Sequence, residues 1–321
     1  YNQADLGALG NGRMTTALAG TQVTLAEDGA HPFGFKIDSF ASGITNANVT
    51  QTAGPPASLA VDFTGQPEPG EAIRVFMNLP DGTQTEVKIA VAGTETDAEF
   101  TFPRGATVAD TAANFQTALD QALTEAANTD LKAASTMRAT EAVFDTAPKS
   151  PAPPGYQPLA RVVPSAGPPV DFTTATSLRD GTADTVAWYA GDNGPGNPRQ
   201  DTRSKVDENL TVNYGARANE DGYRSVVQSL AAFVASDFSE ANPDNQAFYK
   251  AMAERSYNEL TPEGADASGI RSNHMEFAAA QRAVVDAESR FQVEESMLKG
   301  TVEEIEGINK EEVAMKFLSL R

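Results

Sequence analysis

The segment NHMEFAAAQRAVVDAESRFQVEESMLKGTVEEIE (residues 273–306) carries the longest regular pattern in the sequence. Its apolar residues Phe277, Val284, Phe291, Leu298 and Ile305 follow one another at intervals of seven residues. A seven-residue apolar repeat sustained over four intervals is typical of a helix that packs along a partner helix. The pattern therefore predicts a long helix with one apolar face, which we call the heptad stripe, and a second helix that covers it.

The heptad stripe resumes after Gly307 with a shift of one position, because Val313 follows Ile305 by eight residues. A helix from residue 277 to residue 321 would be roughly 65 Å long at about 1.5 Å per residue. The sequence contains no second stripe of comparable length, so we expect the partner helix to come from another subunit or from sequence outside these 321 residues. The residues predicted to carry helix packing and assembly are Phe277, Val284, Phe291, Leu298, Ile305, Val313 and Phe317.

The composition excludes several classes of function. The chain has 44 acidic and 24 basic residues and a net charge of -20, which argues against a nucleic-acid partner. It has no cysteine, so thiol catalysis, disulfides and thiolate metal sites are excluded. Its two histidines, His31 and His274, are too few for a His-rich metal site. No apolar run approaches the roughly 20 residues of a membrane span. Its first residues do not have the pattern of a cleaved signal peptide.

Residues 1–56 are interpreted as a connector and the start of an outer region. Gly7, Gly10 and Gly12 might suggest a phosphate-binding loop, but no strand precedes them and no Lys-Ser/Thr pair follows. A turn or an extended connector is the favoured interpretation.

Residues 57–145 have the pattern of a small α+β domain. Apolar and polar residues alternate in three runs that begin near Leu59, Ile73 and Val87, and the turn sequence PDGT (residues 80–83) separates the second run from the third. A fourth strand is expected near residues 99–102. Thr107 can then cap an amphipathic helix, and the domain is expected to close near Phe144.

Residues 146–178 are rich in proline and are predicted to form a semi-rigid linker or a loop that follows the surface. Residues 179–321 form the C-terminal region. A short strand that runs into a glycine-rich loop is expected over 185–200, and a strand, a turn and a helix over 210–233. That helix should bury an apolar face, a second helix should occupy about residues 245–259, and a loop over 262–269 should precede the long helix. The residues of the predicted buried face are Val226, Val227, Leu230, Phe233 and Val234.

The sequence offers no catalytic constellation, so we expect neither an enzyme nor a cofactor. Asp192, Asn193 and Asp201 could bind calcium, but their spacing is not that of an EF-hand, and a turn at a domain corner is favoured. His274 and Glu276 form only part of a metal motif. Trp188 and Tyr189 are interpreted as core or interface residues. Five glutamates between residues 303 and 312 are interpreted as a solvated helix face rather than as acid–base groups.

A family resemblance rests on two segments. Residues 278–321, above all VEEIEGINKEEVAMKF (302–317), resemble the C-terminal helical region of the bacterial flagellins and of the related hook-associated protein 3. Residues 188–233 are similar to the segment that leads into this region in alphaproteobacterial members. The clear resemblance covers roughly the last 140 residues. Residues 1–145 are only weakly similar to an insertion domain of such flagellins.

The resemblance implies an α+β protein with a long, coiled-coil-like, flagellin-type helical core and an inserted small outer domain. It implies a structural subunit of the bacterial flagellum, exported without a cleaved signal peptide. The implied partners are other copies of the chain, flagellar axial proteins and, before assembly, an export chaperone, with no nucleic acid and no membrane. Family members begin with long N-terminal helices and end in an apolar tail. The chain lacks both, so we expect it to be a fragment trimmed at one or both ends.

Three functions stay open at the level of sequence. The first is filament flagellin, which self-assembles through terminal helices for motility. The second is the hook–filament junction protein, to which the segment at residues 188–192 gives some weight. The third is a surface glycan-binding module built on a flagellin scaffold.

Overall fold

The computed structural model describes residues 1–93, 98–146, 156–194, 196–239, 244–261, 269–307 and 310–320. The loop expected over 262–269 and the first part of the proline-rich segment, residues 147–155, lie almost wholly outside these ranges. The α-helices are α1 (Asn2–Leu6), α2 (Val108–Ala126), α3 (Lys132–Phe144), α4 (Asp221–Ala235), α5 (Asn245–Leu260), α6 (Ile270–Glu306) and α7 (Lys310–Ser319). The strands are β1 (Met14–Ala19), β2 (Gln22–Glu27), β3 (Lys36–Ser42), β4 (Ala47–Thr52), β5 (Ser58–Phe63), β6 (Ala72–Asn78), β7 (Gln84–Val91), β8 (Phe100–Phe102), β9 (Arg161–Val163), β10 (Ser177–Arg179), β11 (Arg203–Asp207) and β12 (Leu210–Asn213).

The described residues thus form an α+β protein, as the sequence predicted at the level of fold class. Two four-stranded sheets, in the orders β1-β2-β5-β4 and β3-β6-β7-β8, share one apolar core with α2. Phe63 from one sheet, Phe102 from the other and Phe115 from α2 meet edge to face, with ring centroids 5.3–6.1 Å apart. Each such ring pair adds about 0.5–1.5 kcal/mol to the apolar burial. These three rings join both sheets to the helix.

The alternating apolar runs are confirmed as the central strands of this unit. β5, β6 and β7 each bury every second residue, and the PDGT turn lies between β6 and β7. In that turn the backbone N–H and the hydroxyl of Thr83 both donate to Oδ1 of Asp81. Thr107 caps α2 as predicted, because its hydroxyl accepts from the backbone N–H of Asp110 while the Asp110 carboxylate accepts from the backbone N–H of Thr107. Local sequence chemistry therefore determines this part of the fold.

The connector interpretation of residues 1–56 needs correction. The predicted boundary at residue 57 separates β4 from β5, which pair antiparallel over their whole length. β2 also pairs with β5, and Val23 and Leu25 of β2 lie in the shared core. These strands are rich in Thr, Ala, Gln and Asn, so they lack the dense apolar alternation by which the later strands were recognised. Residues 1–56 are an integral part of the β unit.

The described part of the proline-rich segment follows the surface of the β unit. β9 pairs with β10, while Val162 and Ala175 are buried against Ala4 and Phe33. Nη1 of Arg13 donates to the carbonyl oxygens of residues 173 and 175 at 3.1 and 2.9 Å. Of the two forms expected for this segment, the surface-following loop is the one found in residues 156–178.

The C-terminal helices α4 and α5 pack on α3 instead of forming a separate body. Ala133 and Met137 of α3 are buried together with Ala232 of α4 and Phe248 of α5. A π-helical turn, Ala127–Leu131, joins α2 to α3. One continuous helical stretch therefore serves both the β core and the C-terminal helices, and α3 cannot be assigned to an outer domain alone.

Two local predictions for the C-terminal region are wrong. α4 is present, but it buries mainly small and polar residues such as Gly222, Ser225 and Ser229. Leu230 and Val234, which were predicted to be buried, are exposed. The strand predicted to begin near residue 185 does not form. The next strand after β10 is β11, which begins at residue 203. Because the buried residues of α4 are small, its backbone can approach the neighbouring helices closely on that face. The face that carries Leu230 and Val234 is therefore left exposed.

No described helix combines the length and the apolar character needed to cross a membrane.

Candidate assembly surface

The long helix α6 starts against the first turn of α4. A Cβ atom on Gly222 would come within 2.5 Å of the backbone nitrogen of Ile270, so the two backbones are in direct contact there. Asn273, one turn into α6, is also buried. At about 1.5 Å per residue, the 37 residues of α6 span roughly 55 Å. The helix is thus held at its N-terminal end and extends away from that contact.

Arg199 fixes the first residue of the heptad stripe. Its guanidinium forms a bidentate pair with Glu220 at 2.6 and 3.0 Å and donates from Nε to Glu276 at 2.7 Å. The guanidinium carbon lies 4.1 Å from the ring centroid of Phe277, within the range of a cation–π contact. Burial disfavours the charge of Arg199, but the two carboxylates outweigh it and raise the pKa of the guanidinium. Arg199 therefore holds the first residue of the stripe, Phe277, in place.

A hairpin of β11 and β12 packs against the next part of α6 but leaves Val284 of the stripe 41% exposed. Ala287 of α6 is fully buried, and Arg290 forms an ion pair with Asp207 of β11 at 3.1 Å. Between the hairpin and the helix an open groove of 420 Å³ remains, which we call the hairpin groove. It is lined by Ser204, Val206, Val212, Tyr214, Phe277, Ala280, Gln281 and Val284. Most of these side chains are apolar.

The rest of the stripe is exposed. The exposed fractions of Phe291, Leu298 and Ile305 rise along the helix from 42% through 66% to 78%. Val313 and Phe317 on α7 are 42% and 77% exposed. No helix in the described ranges lies along α6, so the long coiled-coil core expected from the sequence is not present in them. Of the seven predicted residues, Phe277 is partly covered, and the other six are exposed, Val284 among them at 41%.

Arg217 organises the glycine-rich loop that was weighed as a calcium site. Its guanidinium binds Asp201 at 2.6 and 2.9 Å and Asp192 at 2.8 Å, and it donates to the carbonyl oxygen of Gly194 at 2.7 Å. The hydrogen bonds to Asp201 are the main cause of the raised pKa of Arg217. The two carboxylates thus neutralise an internal cation, which agrees with the interpretation of this loop as a structural turn.

Arg199 and Arg217 were missed at the level of sequence. The residues bound by Arg199 lie 21 and 77 positions away along the chain, and no spacing rule connects residues so far apart. Trp188, interpreted with Tyr189 as a core or interface residue, is half-buried, and its indole donates to the carbonyl oxygen of Phe144 at 3.1 Å. Glu303, Glu304 and Glu306 are exposed, as expected for a solvated face.

Within the described ranges, no group of three or more His, Asp or Glu side chains is placed to hold a metal ion. Comparisons with protein-family models, with curated proteins and with solved structures gave no significant match.

Proposed function

We propose that this chain is a structural subunit of the bacterial flagellum, specifically a filament flagellin that assembles outside the cell with copies of itself and other axial proteins. The observation that carries the proposal is the exposed C-terminal half of the heptad stripe. Phe291, Leu298 and Ile305 lie in register on a helix that extends beyond the elements packed against its first half. Contiguous apolar surface of this kind marks an interaction site.

A helical partner is the occupant that the seven-residue spacing favours. A repeat of seven residues keeps one face of a helix against another helix over many turns. In the proposal, the coiled-coil core of the protein is completed only when subunits associate. The β unit, residues 1–126, then lies outside that core, and it carries no part of the stripe.

The negative charge of the chain is consistent with association through specific apolar contacts. A net charge of -20 makes single chains repel one another, so association depends on specific apolar contacts. The resemblance of residues 302–317 to the flagellin C-terminal region is the reason for proposing that this assembly is a flagellar filament. The proposal assigns the chain no catalytic activity and no cofactor.

Immunogold labelling in the organism that encodes the chain tests this proposal. Antibodies against the β unit should decorate extracellular filaments along their whole length, and deletion of the gene should remove those filaments. Label confined to the junction between hook and filament would assign the chain to that junction instead. Label inside the cell, or on a surface without filaments, would exclude a flagellar role.

A further inference from the structure

A cavity of 440 Å³ opens where α3, α4, α5 and residues 156–178 meet. We call it the polar cavity, because most of the side chains around it are polar or charged. Its lining residues include Tyr1, Arg138, Asp145, Gln157, Gln228 and Glu259. The volume falls within the roughly 300–1,000 Å³ typical of small-molecule sites. None of the lining residues belongs to α6, so the proposed assembly surface leaves this cavity unused.

Gln228 of α4 indicates that the cavity receives a ligand. The residue is only 5% exposed, yet its side-chain amide forms no hydrogen bond with any residue in the described ranges. Buried amides normally have hydrogen-bond partners, because removing them from water without a partner is unfavourable. Gln228 lines the cavity, so the cavity is the side from which a partner can reach its amide.

Two other lining residues also have unused hydrogen-bonding capacity. Gln157 is half-buried, and its amide likewise has no partner in the described part of the chain. Arg138 donates from Nη1 to the carbonyl oxygen of Pro32 at 3.0 Å, and its guanidinium carbon lies 5.7 Å from the ring centroid of Tyr1. It forms no ion pair with a described carboxylate, so most of its five N–H donors are not used by the protein.

The charges that line the cavity nearly cancel. Two guanidinium groups share it with three carboxylates, and these five groups belong to Arg138, Arg224, Glu141, Asp145 and Glu259. A small anion would therefore meet three carboxylates, and a small cation would meet two guanidinium groups. A ligand without net charge avoids both repulsions.

We propose that the polar cavity binds a neutral mono- or disaccharide. Each hydroxyl of a sugar can both donate and accept a hydrogen bond, and so can the side-chain amides of Gln157 and Gln228. The carboxylates around the cavity add acceptors, and Arg138 adds donors. Tyr1 and Tyr156 also line the cavity, and a phenol ring offers an apolar surface to the C–H face of a sugar ring together with a polar hydroxyl.

This binding site goes beyond the flagellar assignment and does not depend on it. The walls come both from α3, which continues the helical stretch of the β unit, and from the C-terminal helices α4 and α5. A bound sugar would contact both parts of the protein. The whole chain is therefore the form in which binding is measured.

Saturation-transfer difference NMR of the whole chain tests the proposal. The probes are glucose, galactose, mannose, N-acetylglucosamine, maltose and lactose at millimolar concentration, with glycine and glutamine in the same sample as zwitterionic competitors. We expect saturation transfer to at least one sugar and a weaker signal, or none, from the two amino acids. The Kd of the best sugar is then measured by titration.

Gln228→Met removes the amide but keeps the length of the side chain. It should raise the Kd of that sugar roughly three- to tenfold, the effect of losing one hydrogen bond. It should not lower the unfolding midpoint, because no hydrogen bond within the described protein is lost. Gln157→Met should also raise the Kd. The matched control is Gln292→Met on α6, where the same change is made at an exposed position outside the cavity and the Kd should not change.

Three results would overturn the proposal. Absence of saturation transfer to every sugar would mean that water alone fills the cavity. Preference for glycine or glutamine would mean that the site selects a zwitterion. A Kd that neither Gln228→Met nor Gln157→Met changes would place the bound sugar elsewhere on the protein. The outcome of immunogold labelling is independent of all three, so the flagellar proposal and the sugar site can fail separately.

Discussion

Arg255 on α5 donates a hydrogen bond from Nε to Oδ2 of Asp81 at 2.9 Å, although the two residues are 174 positions apart in the chain. The Arg255 and Asp81 side chains are only 10% and 6% exposed. Asp81 belongs to the turn between β6 and β7, where Thr83 also donates to its carboxylate. The ion pair thus fastens a C-terminal helix to a turn of the β unit.

Replacement of Arg255 by Ala should lower the free energy of unfolding by about 3–5 kcal/mol, because it leaves a buried carboxylate without its cation. Denaturant titration of the whole chain measures the change. The matched control is Lys250→Ala on the same helix, whose pair with Glu254 is exposed and should contribute no more than about 0.5 kcal/mol. Equal effects of the two substitutions would mean that α5 is not held by this contact.

The β unit and the C-terminal helices should therefore not separate when the chain is shortened. If residues 57–145 were a separate outer domain, as the sequence pattern predicted, deleting residues 57–144 would leave the remaining helices intact. That deletion would remove Asp81 together with Ala133 and Met137, against which α4 and α5 pack. We now expect the helical signal of α4 and α5 in circular dichroism to be largely lost. Retention of that signal would support an independent C-terminal unit.

Substitution of Phe115 should lower the stability of the isolated chain strongly, whereas substitution of Phe291 should change it little. Phe115 is 1% exposed at the centre of the core, so Phe115→Ala should cost about 3–5 kcal/mol of stability. Phe291→Asp would have a similar cost if a helix within the chain covered the stripe. Phe291 is 42% exposed and no described helix covers it, so the substitution should change the stability of the isolated chain by less than about 1 kcal/mol.

The cost of Phe291→Asp should instead appear in association. Sedimentation at high protein concentration should show weaker self-association for this variant than for Glu295→Ala, which alters the same region without placing a charge on the stripe. Strong destabilisation of the monomer by Phe291→Asp would show that a partner within the chain covers this residue.

Gly12 should tolerate a methyl group less well than Gly20. Both have positive φ values, 72° and 66°, so alanine carries a similar backbone strain at either position, roughly 1–2 kcal/mol. A Cβ at Gly12 would lie 2.3 Å from the buried ring of Phe35, whereas nothing lies within 4 Å at Gly20. Gly12→Ala should therefore cost about 1–3 kcal/mol more than Gly20→Ala. Equal unfolding midpoints would exclude the close approach.

Asp5 should make stability depend on pH in a defined direction. Burial raises the pKa of its carboxyl above the ordinary 3.8, and hydrogen bonds from Ser135 and Gly34 oppose this only in part. The folded chain therefore binds this proton more tightly than the unfolded chain does. The contribution of Asp5 is full below pH 3.8 and is lost as the pH rises through the raised pKa.

The measurement compares the native chain with Asp5→Asn. The stability of the native chain relative to the variant should fall as the pH rises from about 3.8 through the raised pKa of Asp5. Asp171→Asn is the matched control, because hydrogen bonds from the hydroxyl and the backbone of Thr173 lower the pKa of Asp171. The contribution of Asp171 is present above pH 3.8 and is lost as the pH falls through the lowered pKa, so its slope should have the opposite sign. Slopes of the same sign would contradict the assignment for Asp5.

The parts of the fold that could be predicted from the sequence are those in which a residue pattern has one common structural outcome. Thr107 with Asp110 caps a helix, and the alternation from Ile73 to Met77 gives a strand with one buried face. The first four strands were missed because their exposed Thr and Gln residues do not contrast strongly with their few apolar ones. The face of α4 was assigned wrongly because Ser225 and Ser229 are buried for their small size, which hydropathy does not register.

The candidate surface could be predicted only in outline. The spacing of Phe277 and its successors identified the long helix and its stripe, and α6 is present. The packing of the hairpin against α6, and the contact of Arg199 with Phe277, depend on residues far apart in the chain. Such contacts have no local signature in a single sequence.

The continuous helical stretch of α2, the π turn and α3 connects two parts of the chain that are synthesised at different times. Its first half is buried by strands that precede it in the chain, and its second half provides the surface on which α4 and α5 dock. During synthesis, the ribosome releases everything needed to close the β unit before residue 221 emerges. We therefore expect α4 and α5 to fold after the β unit, onto the surface that α3 provides.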